Sequence, residues 1–211
     1  MRDDAPLSKK AQILNTLADM LAQPHAGRVT TAALAQRLNN SEAALYRHFA
    51  GKAAMFEGLI AQIRAQLLED LAHVQTTENN GRLRLRKQLH ALLLFTERHR
   101  GMTRVLAGDA LATEAPHLQT QVNELMAEIE AVLAGSAQAA MEARAPISEK
   151  PGGATSESAA AASAQARLYA CALAAWVQGR WMRYAQTGWQ ALPTEDHARQ
   201  LDLLGLGTPT R

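Results

Sequence analysis

Between Val29 and Phe56 the chain reads VTTAALAQRLNNSEAALYRHFAGKAAMF, and few backbone arrangements accommodate that pattern. Thr30 or Thr31 is placed to cap a helix, because a threonine hydroxyl accepts from the free N–H groups of a first turn. Leu34, Ala35 and Leu38 follow at helical spacing. Asn39-Asn40 interrupts the pattern, since asparagine tolerates left-handed backbone and bonds its own main chain. Ser41 then caps a second short helix that buries Ala44, Leu45 and Phe49 and turns Glu42, Tyr46, Arg47 and His48 outward. Two short helices on a small apolar underside, joined by a tight polar turn, form a helix-turn-helix, whose second helix enters the major groove of DNA.

The rest of the chain is read as helix throughout. Hydrophobic residues make up 47% of its 211 residues but aromatics only 4%, so the core is aliphatic. Leu and Ala are strong helix formers, and no long β-branched run alternates with period two. The expected class is all-α. A single cysteine, Cys171, excludes an intramolecular disulfide and fits a reducing cytoplasm. The N-terminus lacks an apolar signal core and no apolar run is long enough to span a bilayer, so a cytoplasmic, nucleoid-associated location is expected, with no transmembrane segment.

The net charge of +2 does not by itself argue for nucleic acid. Residues 1–52, however, carry seven Lys/Arg against four Asp/Glu, a surplus of three that the remainder does not share. The seven histidines show no ligand spacing, and there is no phosphate-cradling glycine motif. Neither a catalytic group, a metal nor a cofactor is expected.

The apolar stripe Ile13, Leu14, Leu17, Leu21 predicts a first helix from Ser8 to about Gln23. A long fourth helix follows the helix-turn-helix over 51–74, a polar linker spans Thr76 to Gly81, and a fifth helix runs from Arg82 to His99. Gly101 restarts the chain into a helix over 102–112, and Pro116 opens one over 117–144. Pro151-Gly152-Gly153 marks a flexible loop at about 146–156, before an Ala-rich helix over 157–187 and a last one over 195–204. Nine helices result: a DNA-binding unit over 8–52 and a helical dimerisation and partner-binding unit over 53–211.

The run LYRHFAGK, with Tyr46, Arg47, His48, Phe49 and Lys52, resembles the TetR family of DNA-binding proteins. That resemblance implies a three-helix N-terminal head on a six-helix C-terminal dimerisation body. The later segment ERHRGMTRVLAGDAL, paired with this head, is similar to a branch of the family that acts in nucleoid occlusion and binds the division protein FtsZ. Bodies of ordinary family members diverge freely, so the two segments together are more specific than the head. Asn39-Asn40 stands where the family usually has glycine and an apolar residue, and His99-Arg100 where it more often has asparagine-proline. The fifth helix is more polar and two residues longer near Arg86 to Ala91, and the 146–165 stretch is longer.

Residue by residue, Thr30, Thr31 and Tyr46 are suited to phosphate oxygens, and Lys52 adds a cation at a helix start that already favours anions. Ser41 to His48 face base edges, with Ala43 or Ala44 at a thymine methyl and Arg47 on a phosphate or a guanine. The plainer alternative leaves Tyr46 and His48 as surface packing. A dimer reading a palindromic duplex is expected, its interface on the 157–187 helix through Ala170, Ala172, Ala174 and Ala175 with Trp176 and Trp181; the tryptophans serve equally as intrachain core. By resemblance, an FtsZ tail docks between helices four and five, at Gln62, Asp70, Ala91, Leu94, Arg98 and His99. Arg98 reads equally as a cation complementing its helix dipole. The alternative function is a ligand-responsive repressor, against which the low aromatic content of 82–150 argues.

Overall fold

A computed structural model describes residues 8–24, 27–143 and 156–207. The loop expected at 146–156 lies outside them except for Ser156, where a helix begins. Nine α-helices form among the described residues: α1 Lys9–Leu21, α2 Thr31–Arg37, α3 Glu42–Tyr46, α4 Lys52–Thr77, α5 Gly81–Arg98, α6 Arg100–Leu106, α7 Pro116–Glu142, α8 Ser156–Gln186 and α9 His197–Leu201. A 3-10 turn Asp109–Leu111 precedes α7, and a wider π-type turn Asp202–Leu206 continues α9. No strand occurs among the described residues, and none of their helices is long and apolar enough to cross a membrane.

Side-chain caps delimit the early helices. Ser8 Oγ accepts from the Ala11 N–H, and α1 buries Ile13, Leu14, Leu17 and Leu21 as its stripe predicts. In α4 the buried residues Met55, Leu59, Ile63, Leu67 and Leu71 recur every fourth position, and α5 and α7 pack against that face. Pro116 occupies the first turn of α7, where its missing N–H is no loss.

Besides the helix expected over 102–112, which ends at Leu106 because Gly108 turns left-handed (φ 82°) before the 3-10 turn, two expected boundaries differ. The polar linker at Thr76 to Gly81 shrinks to Glu78–Asn80, because α4 continues through Thr77 and α5 starts at Gly81. The hydroxyls of Thr76 and Thr77 both donate back to the His73 carbonyl, so they stay helical, and Asn80 Oδ1 caps α5 from the Leu83 N–H. Gly81 is helical for a tertiary reason: a Cβ there would stand 2.5 Å from the Ala140 backbone nitrogen of α7. The second difference is that the chain restarts at His99, not Gly101; His99 alone leaves helical geometry, and Gly101 lies within α6.

The reach of α8 into the core corrects part of the dimer-face expectation. Trp181, Ala170 and Ala174 are buried with Leu173 and Val177 within the chain, where α8 packs on α7. Trp176 is half-buried beneath the Arg180 guanidinium, 5.2 Å from its ring centre. What α8 leaves uncovered keeps two of the expected alanines, Ala172 and Ala175, in a row with Leu168, Gly179 and Met182.

Candidate nucleic-acid interface

The helix-turn-helix forms as the caps dictate. Thr30 Oγ1 accepts from Ala33 N–H at 3.2 Å and Ser41 Oγ from Ala44 N–H at 3.3 Å. Asn39 takes left-handed backbone (φ 51°), doing what glycine does in such turns, while Asn40 N–H donates to Ala35 O and its side-chain amide to Leu38 O. Leu34, Ala35 and Leu45 are buried beneath, with Phe49 half-buried and Lys10 Nζ 5.8 Å from its ring centre.

Outward, α3 presents an open face. Ser41, Ala43, Tyr46, Arg47 and His48 are exposed, whereas Ala44 is half-buried, which leaves Ala43 as the alanine open to a base methyl. Three polar groups interlock beside it. Thr31 Oγ1 donates to Glu42 Oε2 at 2.6 Å, and the Tyr46 hydroxyl donates to Thr31 Oγ1 at 3.4 Å. Each hydroxyl carries one proton, so that of Thr31 is committed to Glu42. Tyr46, held by a long contact, and Thr30, which only accepts at its cap, are the better donors to a phosphate oxygen.

Lys52 is not free. Its Nζ lies 2.5 Å from Glu114 Oε1, and Arg28 Nε lies 3.7 Å from the same oxygen. Glu114 comes from the turn before α7, so this ion pair joins the reading helices to the helices that follow them. Two further contacts fasten α1: a Cβ on Gly101 would stand 1.8 Å from Ala18 O, and Trp189 Nε1 donates to Ala22 O at 2.8 Å.

Around the α4–α5 pair, Gln62 is half-buried and Asp70 exposed on α4. Ala91, Leu94 and Arg98 share one face of α5 at spacings of three and four, the first two half-buried and Arg98 exposed. Arg98 and His99 border a small cleft, about 170 Å³, with Ala18, Asp19 and Ala22 of α1. Burial holds the His99 imidazole below its ordinary range; Arg98 adds to this and Asp70 opposes it, so the three groups share one electrostatic environment. Sequence reasoning placed Glu42 outward but missed its bond to Thr31, and it missed Glu114, Arg28 and Trp189, because partners so far apart in the chain leave no local spacing to read.

A three-helix reading head running through a continuous α4 into an all-α body is the architecture of TetR-type regulators. Residues 13–59 match the family described as bacterial regulatory proteins, tetR family, and residues 79–148 the SlmA-like family described as tetracyclin repressor-like, C-terminal domain. The fold superposes on the transcriptional regulator FadR from Bacillus subtilis (TM-score 0.70, 14% identity, covering 93% of this chain and 97% of that one). It also superposes on a TetR-like regulator from Rhodococcus sp. RHA1 (TM-score 0.64, 19% identity, covering 96% and 98%). Within that class the chain belongs to the family of the nucleoid occlusion factor SlmA. It is 36% identical over 210 residues to the SlmA of Photobacterium profundum, covering 98% of this chain and all of that protein. It is 43% identical over 130 residues to that of Shewanella frigidimarina and 42% over 127 residues to that of Vibrio campbellii, covering 62% and 60% of this chain. In these two alignments the chain spans 66% and 65% of the relatives' length. Among the described residues no group of three or more His, Cys, Asp and Glu is placed to hold a metal ion.

Proposed function

We propose that this chain is a dimeric nucleoid occlusion factor: residues 8–52 read palindromic double-stranded DNA, and residues 53–211 dimerise and engage FtsZ, preventing ring assembly over the chromosome. The observation that carries the reading is the pairing of an open α3 face with a body that matches the SlmA-like family over 79–148. In this reading Thr30 and Tyr46 fix register on phosphates while Ser41, Ala43, Arg47 and His48 meet the groove; Thr31 and Lys52, held by Glu42 and Glu114, and the half-buried Ala44 support that face from behind. The dimer forms on the uncovered row of α8. Leu168, Ala172, Ala175, Gly179 and Met182 recur at alternating intervals of four and three, the seam spacing of helices that pair side by side. Ala91, Leu94 and Arg98 with His99, together with Gln62 and Asp70 of α4, form the rim that takes the FtsZ tail. The location that follows is the cytoplasm, on the nucleoid.

The test is sedimentation of FtsZ polymers with the purified protein, with and without its cognate duplex. Less pelleted polymer in the presence of protein and duplex supports the reading; identical pellets in all conditions refute it. A ligand-responsive repressor is favoured by one observation: Gln88 is fully buried and neither of its side-chain amide atoms has a partner among the described residues. Release of a single dominant operator by a metabolite, with no effect on FtsZ, would establish that function instead.

A further inference from the structure

We propose that Glu114 is a positioning residue for DNA binding: it pins the reading head to the body and so fixes the spacing at which two heads meet a palindrome. The inference rests on the dimeric DNA-reading function proposed above.

The side chain of Glu114 is only 8% exposed, unlike the exposed pairs His117–Glu57 and Arg199–Asp196. Exposed pairs contribute little, whereas a buried carboxylate is tolerated only when it is paired. Both cations that reach Glu114 come from the head side: Lys52 opens α4, and Arg28 stands in the segment before α2. A single oxygen, Oε1, takes both: the mostly buried Lys52 at 2.5 Å ties the start of α4 to the turn that leads into α7, and the exposed Arg28 at 3.7 Å adds a weaker contact.

Another attachment lies at the far end of α1, where Gly101 meets Ala18 and Trp189 meets Ala22, and α4 itself runs unbroken from the head into the body. A single connecting helix leaves the head a pivot; contacts to either side of it set the angle. With Glu114 in place, the angle of α3 to the body is set, and so is the distance between the two α3 helices of a dimer. Palindrome recognition depends on that distance matching one helical turn, roughly 34–36 Å. Because Glu114 sits on the body side of the pair, the predicted consequence of losing it is a change in spacing preference, with each head still able to read its half-site.

The experiment uses fluorescence anisotropy on duplexes carrying the palindrome that the wild-type protein enriches from a random-sequence pool. Three probes are needed: the enriched spacing, the same site with one base pair inserted at its centre, and a single half-site. The expected wild-type penalty for the insertion is about tenfold, shrinking to about twofold in Glu114→Gln, with half-site affinity unchanged. Glu114→Asp, which keeps the charge on a shorter arm, is expected to restore most of the penalty. An unchanged insertion penalty in Glu114→Gln overturns the proposal. So does a parallel loss on the half-site, since Glu114 would then act through local contacts or folding. Should Glu114→Gln not fold, hydrogen exchange on Lys52→Gln, which removes the other partner of the pair, decides: faster exchange at 28–31 and 52–55 with α6 unchanged supports the pin, and unchanged or uniformly changed exchange overturns it. A wild-type protein that enriches no palindrome refutes the DNA-reading function itself, a separate outcome.

Discussion

A methyl group on residue 101 would stand 1.8 Å from the Ala18 carbonyl oxygen, so glycine there is a requirement of the α1–α6 contact. Gly101→Ala is expected to destabilise the fold by about 1–3 kcal/mol, read from the midpoint of urea unfolding. Asn39 tests the opposite case. Its left-handed backbone costs an ordinary residue about 1–2 kcal/mol, so Asn39→Ala should lose that amount and Asn39→Gly little. Histidine chemistry supplies a pH dependence. His197 Nδ1 lies 2.5 Å from Thr194 O and must donate to it, so Nε2 accepts from His90 Nδ1 at 3.0 Å. Burial, then the neighbouring His197, hold His90 below its ordinary value of 6.5, with Glu97 opposing and Arg98 adding. The unfolded chain therefore binds more protons, and this contribution to stability is present above pH 6.5 and lost as pH falls below it. Thermal midpoints between about pH 5.5 and 7.5 should fall on acidification more in the wild type than in His90→Gln.

Among the elements, those with strong local signals were legible in the sequence. The stripes of α1 and α4 and the caps Thr30 and Ser41 depend on residues three and four apart, which the chain displays directly. With only five residues, α3 depends on its cap, and Ser41→Ala is expected to cost about 1 kcal/mol and to fray the reading helix in hydrogen exchange. Polarity alone marks Thr76–Gly81 as a linker, while the His73 carbonyl and the α7 backbone make both its ends helical and leave only Glu78–Asn80 between helices. The last helices are held by arginines that no periodicity reveals. Arg86 Nη1 reaches Asp202 Oδ1 and Leu206 O, both at 2.6 Å, and Arg180 donates to the Pro193 carbonyl and to Gln200.

At the scale of the whole molecule, the proposed function has two heads on one duplex, which would neutralise several phosphates and release counterions. Affinity is expected to fall at least about tenfold between roughly 50 and 200 mM salt in anisotropy titrations; a flat profile contradicts the proposed contacts. Ala175→Glu, a charge in the middle of the uncovered α8 row, should shift the protein toward monomer in sedimentation velocity and weaken binding to a palindrome, with the half-site affected much less.

Helix positions, the capped helix-turn-helix and the outward set on α3 were already written in the chain, because helices and caps are built from neighbours three and four residues apart. Packing settled what lies between distant segments. It turned Ala170, Ala174 and Trp181 inward and left the Leu168-to-Met182 row open, and it brought Glu114 onto a lysine 62 positions away. Residues so far apart meet only when α4, α6 and α7 have docked, and a buried carboxylate takes whichever cations that docking brings within reach.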